Sequence, residues 1–420
     1  MTKRDTTLHL LFTREDGRSA IHTVKTDQTT YYGANVVEAA RKAGMEARPL
    51  RRIHFHFHGE RDGVKYAEAV WHLHAEKGAA VNWRADFTDV ERDWIQTART
   101  PTLTPWFQPG WFARTLAWLD AELTAQGWTR TGVPRTLKHW QISVLWEVPT
   151  SHGRVFLKGV PDFFRRETEL IPLLSRELPG AAPPVLAADT RLGLLLMADA
   201  GEPVDEQDLN WPDLMRHLAR VQHSSLPHLS GWKLRDRGPE FVLKWLDTLL
   251  SDESLLTGQQ DGFTAEEARR LRTARSPLEA ALHRLSASPL PRTLGHGDLH
   301  GGNVLVKDGQ FTVLDWSDVC RTHPFMDVNP AYFVPNPWEN SLNADQEQLN
   351  AARQAYLQAW TGYALMQELE PLLKDGELTG ELFRALGYVD GIQGAVQDKT
   401  EWHGTHLIHL RKALQMLEEK

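Results

Sequence analysis

The densest run of chemistry-bearing side chains is His296-Gly297-Asp298-Leu299-His300-Gly301-Gly302-Asn303, followed by Val304–Val306 and then Thr312-Val313-Leu314-Asp315-Trp316. Moving a phosphoryl group to an alcohol needs a carboxylate to accept the hydroxyl proton and oxygen ligands to hold Mg2+ against a triphosphate. It also needs a cation for the phosphates that stay behind. Asp298 and Asn303 lie five residues apart, the separation of a proton-accepting carboxylate and a metal-binding amide in a phosphoryl-transfer loop. The apolar runs around the turn Asp308-Gly309 predict a β-hairpin over 304–314, which returns Asp315 beside Asn303 so that both can ligate one cation. A lone Asp in a loop is ordinarily a turn or cap residue. The whole string, with strand, Gly turn, strand and Asp-Trp behind it, carries the functional reading.

These residues must be positioned by a folded scaffold. The first hundred residues read as a small α+β unit. Strands are expected at Leu8 to Thr13, Ala20 to Thr26, Arg52 to His58 and Ala67 to His74. Helices are expected at Val36 to Ala43 and Asp86 to Thr100, and then a linker punctuated by Pro101, Pro105 and Pro109. Phe112, Leu116, Leu119 and Leu123 mark one face of a helix that ends at Gly127. Strands follow at Trp140 to Val148 and Arg154 to Val160, a helix over Phe164 to Leu178, and a short apolar strand from Gly193 to Met197. From Gly201 onward the pattern is helical, apart from the two strands of the hairpin. The domains expected are a small α+β unit over 1–105, a second α+β unit over 106–200 and a mostly helical unit over 201–420; the family resemblance given below implies a cap, a nucleotide-binding lobe and a catalytic lobe in that order.

The chain has 420 residues, with 47 Lys and Arg against 55 Asp and Glu, a net charge of −8. That balance argues against nucleic acid or an anionic membrane as the main partner. The single cysteine, Cys320, excludes an intrachain disulfide and any multi-cysteine metal cluster. No apolar run approaches the roughly 18 residues of a membrane-spanning helix. The apolar stretch before Thr13 is too short for a signal-peptide core, so a cytoplasmic protein is expected.

His-Gly-Asp-Leu-His-x-x-Asn with Leu-Asp-Trp resembles the aminoglycoside phosphotransferase and choline kinase superfamily, and His323-Pro324-Phe325-Met326-Asp327-Val328 continues that pattern. The resemblance covers about 136 to 330 with motifs. It implies an α+β, bilobal protein-kinase-like fold carrying an additional N-terminal cap, and ATP with Mg2+ as cofactor, GTP remaining compatible. It implies Asp298 as catalytic base, Asn303 and Asp315 as Mg2+ ligands, and His296 and Asp327 as internal supports of the loop. His300 is either a satisfied loop histidine or a neighbour of the acceptor. Lys158, ending the apolar strand Val155-Phe156-Leu157, matches the nucleotide lysine. Glu167 matches its carboxylate partner, with Glu169 as the alternative because Pro172 departs from the pattern. Phe156 either stacks on adenine or packs in the core. Gly193 to Gly201 looks like the hinge, with Leu196 and Met197 lining the adenine site and the backbone of Ala198 to Ala200 bonding its edge. There is no Gly-x-Gly-x-x-Gly or Walker loop, so the turn from Thr150 to Gly153 must cover the phosphates, with Ser151 or His152 at its tip.

The acceptor expected is a small hydroxyl compound: an amino alcohol, aminoglycoside or sugar. Residues 331–420 carry 13 acidic against 7 basic side chains, which favours a cationic one. Trp338, Glu339, Tyr388, Asp390, Glu401 and Trp402 are candidate walls, and Asp318 is placed to reach the same cleft. A nucleotide-binding pseudokinase whose N-terminal domain is the interaction module is the second reading. The front domain's element order resembles a Nudix hydrolase domain. However, Arg41 and Lys42 stand where that family's metal-binding glutamates belong, so it is at most a degenerate version, and an unrelated α+β cap is the rival. His54, His56 and His58 alternate with Ile53, Phe55 and Phe57. The alternation sets the histidines on one sheet face, either gathered for a metal or simply exposed with the aromatic side chains inward.

Overall fold

The computed structural model describes residues 3–418 except 15, 31–32, 77–78, 80, 109, 205–209, 259–261, 334–344 and 400–401. The chain forms two compact units. The first runs to Arg165 and takes in Leu186–Ala198; the second takes Arg166–Val185 and everything from Asp199 onward. No helix among the described residues is long and apolar enough to cross a membrane.

The first unit contains two sheets. β1 (Lys3–Thr13), β2 (Ser19–Thr26), β3 (Ala47–Arg61) and β4 (Val64–Ala75) lie in the order β2-β1-β4-β3, with β1 and β4 parallel and the other pairs antiparallel. Period-two alternation gives this sheet two apolar faces. α1 (Gly33–Lys42) covers one, setting Val36 and Ala40 on Leu8, Leu10, Ala69 and Trp71. α2 (Asp89–Arg99) covers the other, setting Ile95 and Ala98 on Leu11 and Val70. α2 starts at a capping box in which Thr88 and Glu91 satisfy each other's backbone N–H groups, a Thr-x-x-Glu signal that places the helix start three residues later than expected.

The second sheet runs β5 (Arg135–His139), β6 (Val144–Thr150), β7 (Gly153–Gly159), β9 (Leu194–Ala198), β8 (Val185–Asp189), all labelled in chain order. α3 (Trp111–Ala125) packs Leu119 and Leu123 onto its Trp146, Val148 and Leu157. The strand expected over Trp140 to Val148 begins only at Val144, because residues 140–143 form the turn between β5 and β6. Trp140 N–H bonds the Ser143 carbonyl at 3.1 Å, and the Trp140 carbonyl accepts from the Trp106 indole at 2.7 Å. Those two bonds close the chain on itself before Val144. His139 joins the two sheets by donating from Nε2 to the Leu50 carbonyl at 2.8 Å; burial lowers its pKa to about 4 and keeps the ring neutral.

The inward placement of the front-domain aromatics does not hold. Phe55 and Phe57 are 43% and 51% exposed. α1 covers the half of the β3–β4 hairpin around Ala47 and Leu73, and bulges at Arg52/His54 and Phe57/Gly59 interrupt the register beyond it. The histidines are spread. His54 faces Trp94 at 6.3 Å, His56 meets His58 at 4.6 Å, and His58 Nε2 lies 3.7 Å from Glu68. Among the described residues, no group of three or more His, Cys, Asp or Glu is arranged to hold a metal ion.

The second unit is mainly helical. β10 (Glu202–Pro203), β12 (Val304–Lys307) and β13 (Gln310–Val313) form one small sheet, and β11 (Thr293–Gly295) pairs with β14 (Cys320–Thr322). The helices Pro239–Ser251, Arg275–Ser286, Met366–Leu386 and Thr405–Glu418 bury a leucine-rich core that includes Leu246, Leu282, Leu382 and Leu410. Gly376 and Gly380 share one face of the long helix. A Cβ there would stand 2.4 Å from the Phe325 carbonyl oxygen and 2.8 Å from that of Met326. The two glycines therefore let the helix lie directly on Pro324–Asp327, and the same face carries Arg384 one turn later.

Candidate functional site

The hairpin forms in the register that the sequence requires. Val304 pairs with Val313, and one step beyond, Leu314 N–H bonds the Asn303 carbonyl at 2.8 Å. Asp315 follows at once, in the left-handed region at φ 62, and so emerges beside Asn303. The Asn303 amide nitrogen donates to the Asp298 carbonyl at 3.0 Å, which makes its oxygen the acceptor end. Ser317 Oγ donates to Asp315 Oδ1 at 3.1 Å. An amide oxygen and a carboxylate held at adjacent strand ends are the donor types that Mg2+ takes, with phosphate oxygens completing its shell. The residues present fit that ion.

The loop carrying Asp298 is pinned from beneath. Asp327 is buried and accepts from both His296 N–H at 2.9 Å and Gly297 N–H at 2.8 Å. His296 Nε2 donates to the Leu314 carbonyl at 2.6 Å, and its Nδ1 accepts from Asp298 N–H at 3.3 Å, which fixes one neutral tautomer. Its ring lies 4.8 Å from that of Trp316, whose indole donates to the Ala181 carbonyl at 2.7 Å. Gly297 has φ 90, and a Cβ there would come within 2.6 Å of the Asp318 carbonyl, so only glycine fits. His296 and Asp327 therefore sit where the family resemblance put them. His300 accepts from Gly302 N–H at 3.1 Å and caps the turn before Asn303, while its Nε2 lies 3.9 Å from Asp298. Burial lowers its pKa.

Asp318 is gathered to the same place. Burial raises its pKa to about 7, the carboxylates of Asp298, Asp315 and Glu167 push it the same way, and Arg237 opposes them. Glu167 is buried on α4 (Arg166–Glu177), whereas Glu169 is exposed and pairs with Arg166 at 3.2 Å. α4 runs through Pro172.

The remaining nucleotide-site candidates, Ala200 apart, lie in the first unit. β7 and β9 pair antiparallel with Phe156 directly opposite Met197, and Lys158 two residues on shares their face. Lys158 and Met197 are buried, as is Ala200 in the second unit; Ala198 ends β9. Ser151 stands in the exposed turn between β6 and β7. Its hydroxyl accepts from Thr129 N–H at 3.1 Å and lies 3.0 Å from His152 Nδ1. Of the acceptor walls, Trp338, Glu339 and Glu401 lie outside the described residues. Asp390 is paired with Arg235 at 2.5 Å, and Trp402 is buried with its carbonyl taken by Gln393.

Sequence reasoning missed Arg384. Its guanidinium is buried and meets the Asp298 carboxylate at 3.4 Å. The signal available was an arginine inside the apolar run Leu382-Phe383-Arg384-Ala385-Leu386 of a helix, a position that water does not reach.

Residues 142–372, more than half of the chain, match the model of the phosphotransferase enzyme family. No curated protein sequence matches. Among solved structures, the chain is similar to a choline/ethanolamine kinase family protein from Mesorhizobium loti at 17% identity and a TM-score of 0.51, covering 73% of this chain and 95% of that one. A macrolide 2'-phosphotransferase from Brachybacterium faecium (18% identity, 71% and 97% covered, TM-score 0.46) and an ethanolamine kinase from Plasmodium vivax (12%, 78% and 94%, 0.48) also align. The first likeness bears out the α+β, kinase-like fold expected from the motifs; nothing found confirms the Nudix resemblance of the front domain. With Asp298, Asn303 and Asp315 all inside the matched span, the chain belongs to the phosphotransferase enzyme family.

Proposed function

We propose that this phosphotransferase moves the γ-phosphoryl group of ATP to a hydroxyl of a small molecule. The observation that carries the reading is the Leu314–Asn303 backbone bond, which sets Asp315 beside Asn303 while the Asn303 amide holds the Asp298 carbonyl. Asp298 accepts the proton of the acceptor hydroxyl at its carboxylate, on the side turned away from Arg384. Asn303 and Asp315 would hold Mg2+, which neutralises charge on the phosphates when bound. Lys158 binds the phosphates that are not transferred, and Phe156 and Met197 bracket the adenine. Asp318 and His300 flank the acceptor side of Asp298. The acidic excess of residues 331–420 favours an amine-bearing acceptor over an anionic one. Residues 1–105, with their own sheet and core, serve as the cap.

The test is Asp298→Asn, which removes the base and keeps the loop's shape. Turnover should fall by about 10²–10⁴-fold while ATP affinity stays within about two-fold. Wild-type turnover in that variant would sink the assignment. A screen of matched amine, neutral and carboxylate alcohols then reads the acceptor class; fastest reaction with carboxylates would refute the electrostatic argument.

A further inference from the structure

Arg384 is 3% exposed and reaches three acceptors of one loop system. Nη1 lies 3.4 Å from Asp298 Oδ1, and Nη2 donates to the Leu299 carbonyl at 2.9 Å and the Asp327 carbonyl at 3.3 Å. Those atoms belong to the proposed base, the residue after it and the residue that pins the loop. A guanidinium out of water is costly unless charges and hydrogen bonds surround it. Here they do: its Cζ lies 4.0 Å from the centre of the Tyr332 ring. Burial opposes the charge, yet Tyr332, Asp298, Glu381 and Asp327 hold it on.

The support continues inward. Tyr332 Oη donates to Glu381 at 2.7 Å, and His409 Nδ1 donates to the same carboxylate at 2.9 Å. The Tyr332 ring, against which Arg384 rests, is thus fixed by two helices, Met366–Leu386 and Thr405–Glu418. Gly376 and Gly380 set the approach of the first helix, so the backbone that carries Arg384 is placed by direct contact with Phe325 and Met326. Asp298 keeps 37% of its side chain exposed, and that is the face left for a substrate.

We infer that Arg384 is a positioning residue, a fork from the C-terminal helices that fixes the rotamer of the Asp298 carboxylate and aims its exposed oxygen at the acceptor. This rests on the phosphotransferase reading. A lysine would keep the charge but offer one point contact where the planar fork reaches three.

The experiment uses the full chain with Mg2+ and ATP, water as acceptor, and ADP release as the signal. Arg384→Lys should lower turnover about 10–100-fold, the size of effect that a misplaced catalytic group produces. Its ATP affinity should stay within about two-fold, and its circular dichroism should be that of wild type. In the Asp298→Asn background the same change should cost less than about two-fold, because the group it positions is gone. Glu381→Gln, which keeps shape and removes the charge behind the fork, should show a smaller loss on turnover alone; it serves if Arg384→Lys fails to fold. Arg384→Lys turnover within two-fold of wild type overturns the inference, as does an equal loss in the Asp298→Asn background. So does ATP affinity falling in step with turnover, which would mark a merely structural staple. Equal ADP release by wild type and Asp298→Asn overturns the phosphotransferase reading itself and the inference with it. Dependence on Asp298 without dependence on Arg384 overturns the inference alone.

Discussion

Asp327→Asn tests whether the loop that carries Asp298 is held by one buried carboxylate. In the wild type each oxygen takes one backbone N–H, from His296 at 2.9 Å and Gly297 at 2.8 Å. The amide keeps one acceptor oxygen and turns an NH2 toward the other N–H. One charge-assisted bond disappears, a loss of about 1.5–3 kcal/mol, and a buried donor is left without an acceptor for about 1–3 kcal/mol more. The lower part of that range, about 3 kcal/mol, is enough to decide the matter. The second unit has about 240 residues, for which each kcal/mol moves a melting midpoint by about 2–4 °C, so the midpoint should fall by about 6–12 °C. Locally, about 3 kcal/mol corresponds to roughly a 100-fold rise in the opening that exposes the two amides. The assay is hydrogen exchange followed by mass spectrometry on a peptide spanning Leu294 to Leu299, beside a thermal scan by circular dichroism. Protection unchanged at His296 and Gly297, with a midpoint within about 2 °C of wild type, would refute the claim that Asp327 holds the loop.

Asp318 supplies the pH prediction. Its folded-state pKa is raised to about 7, above that of an unfolded aspartate, so its contribution to stability is complete below about pH 4 and is lost as pH rises toward 7. Asp318→Asn should therefore flatten the urea midpoint over pH 4–7, measured with EDTA and without nucleotide, and be more stable than wild type at pH 8; parallel profiles for the two proteins would contradict it. Asp315→Ala should weaken ATP binding in the presence of Mg2+ more than in its absence if, as proposed, the lost group holds the ion rather than the nucleotide. Calorimetry showing equal losses under the two conditions would rule out a ligand role.

What could be read ahead of the structure, and what could not, follows from the range of the interactions. Asp298, Asn303 and Asp315 were legible because their geometry is local: a hairpin of about ten residues with Asp308-Gly309 at its tip leaves little freedom in where Asp315 returns. The turn before Val144 was not legible, because it depends on the Trp106 indole, 34 residues away, taking the Trp140 carbonyl. The exposure of Phe55 and Phe57 was hidden for a related reason. Alternation says which side of a strand a residue takes, but only the length of the covering helix α1 says whether that side is covered. Arg384 is the extreme case. It lies 86 positions from Asp298, and nothing in its neighbours announces a charge partner. Its place depends on Gly376 and Gly380 allowing a helix onto the backbone of Phe325 and Met326. A sequence reader meets those glycines as weak points in a helix, since each costs about 1 kcal/mol against alanine. Their contribution appears only in the tertiary approach they permit, and that approach brings a buried cation within reach of the proposed base. The residues proposed to do chemistry were therefore found by type and spacing, while the residue proposed to aim the base had to be sought where a helix breaks its own propensity rules.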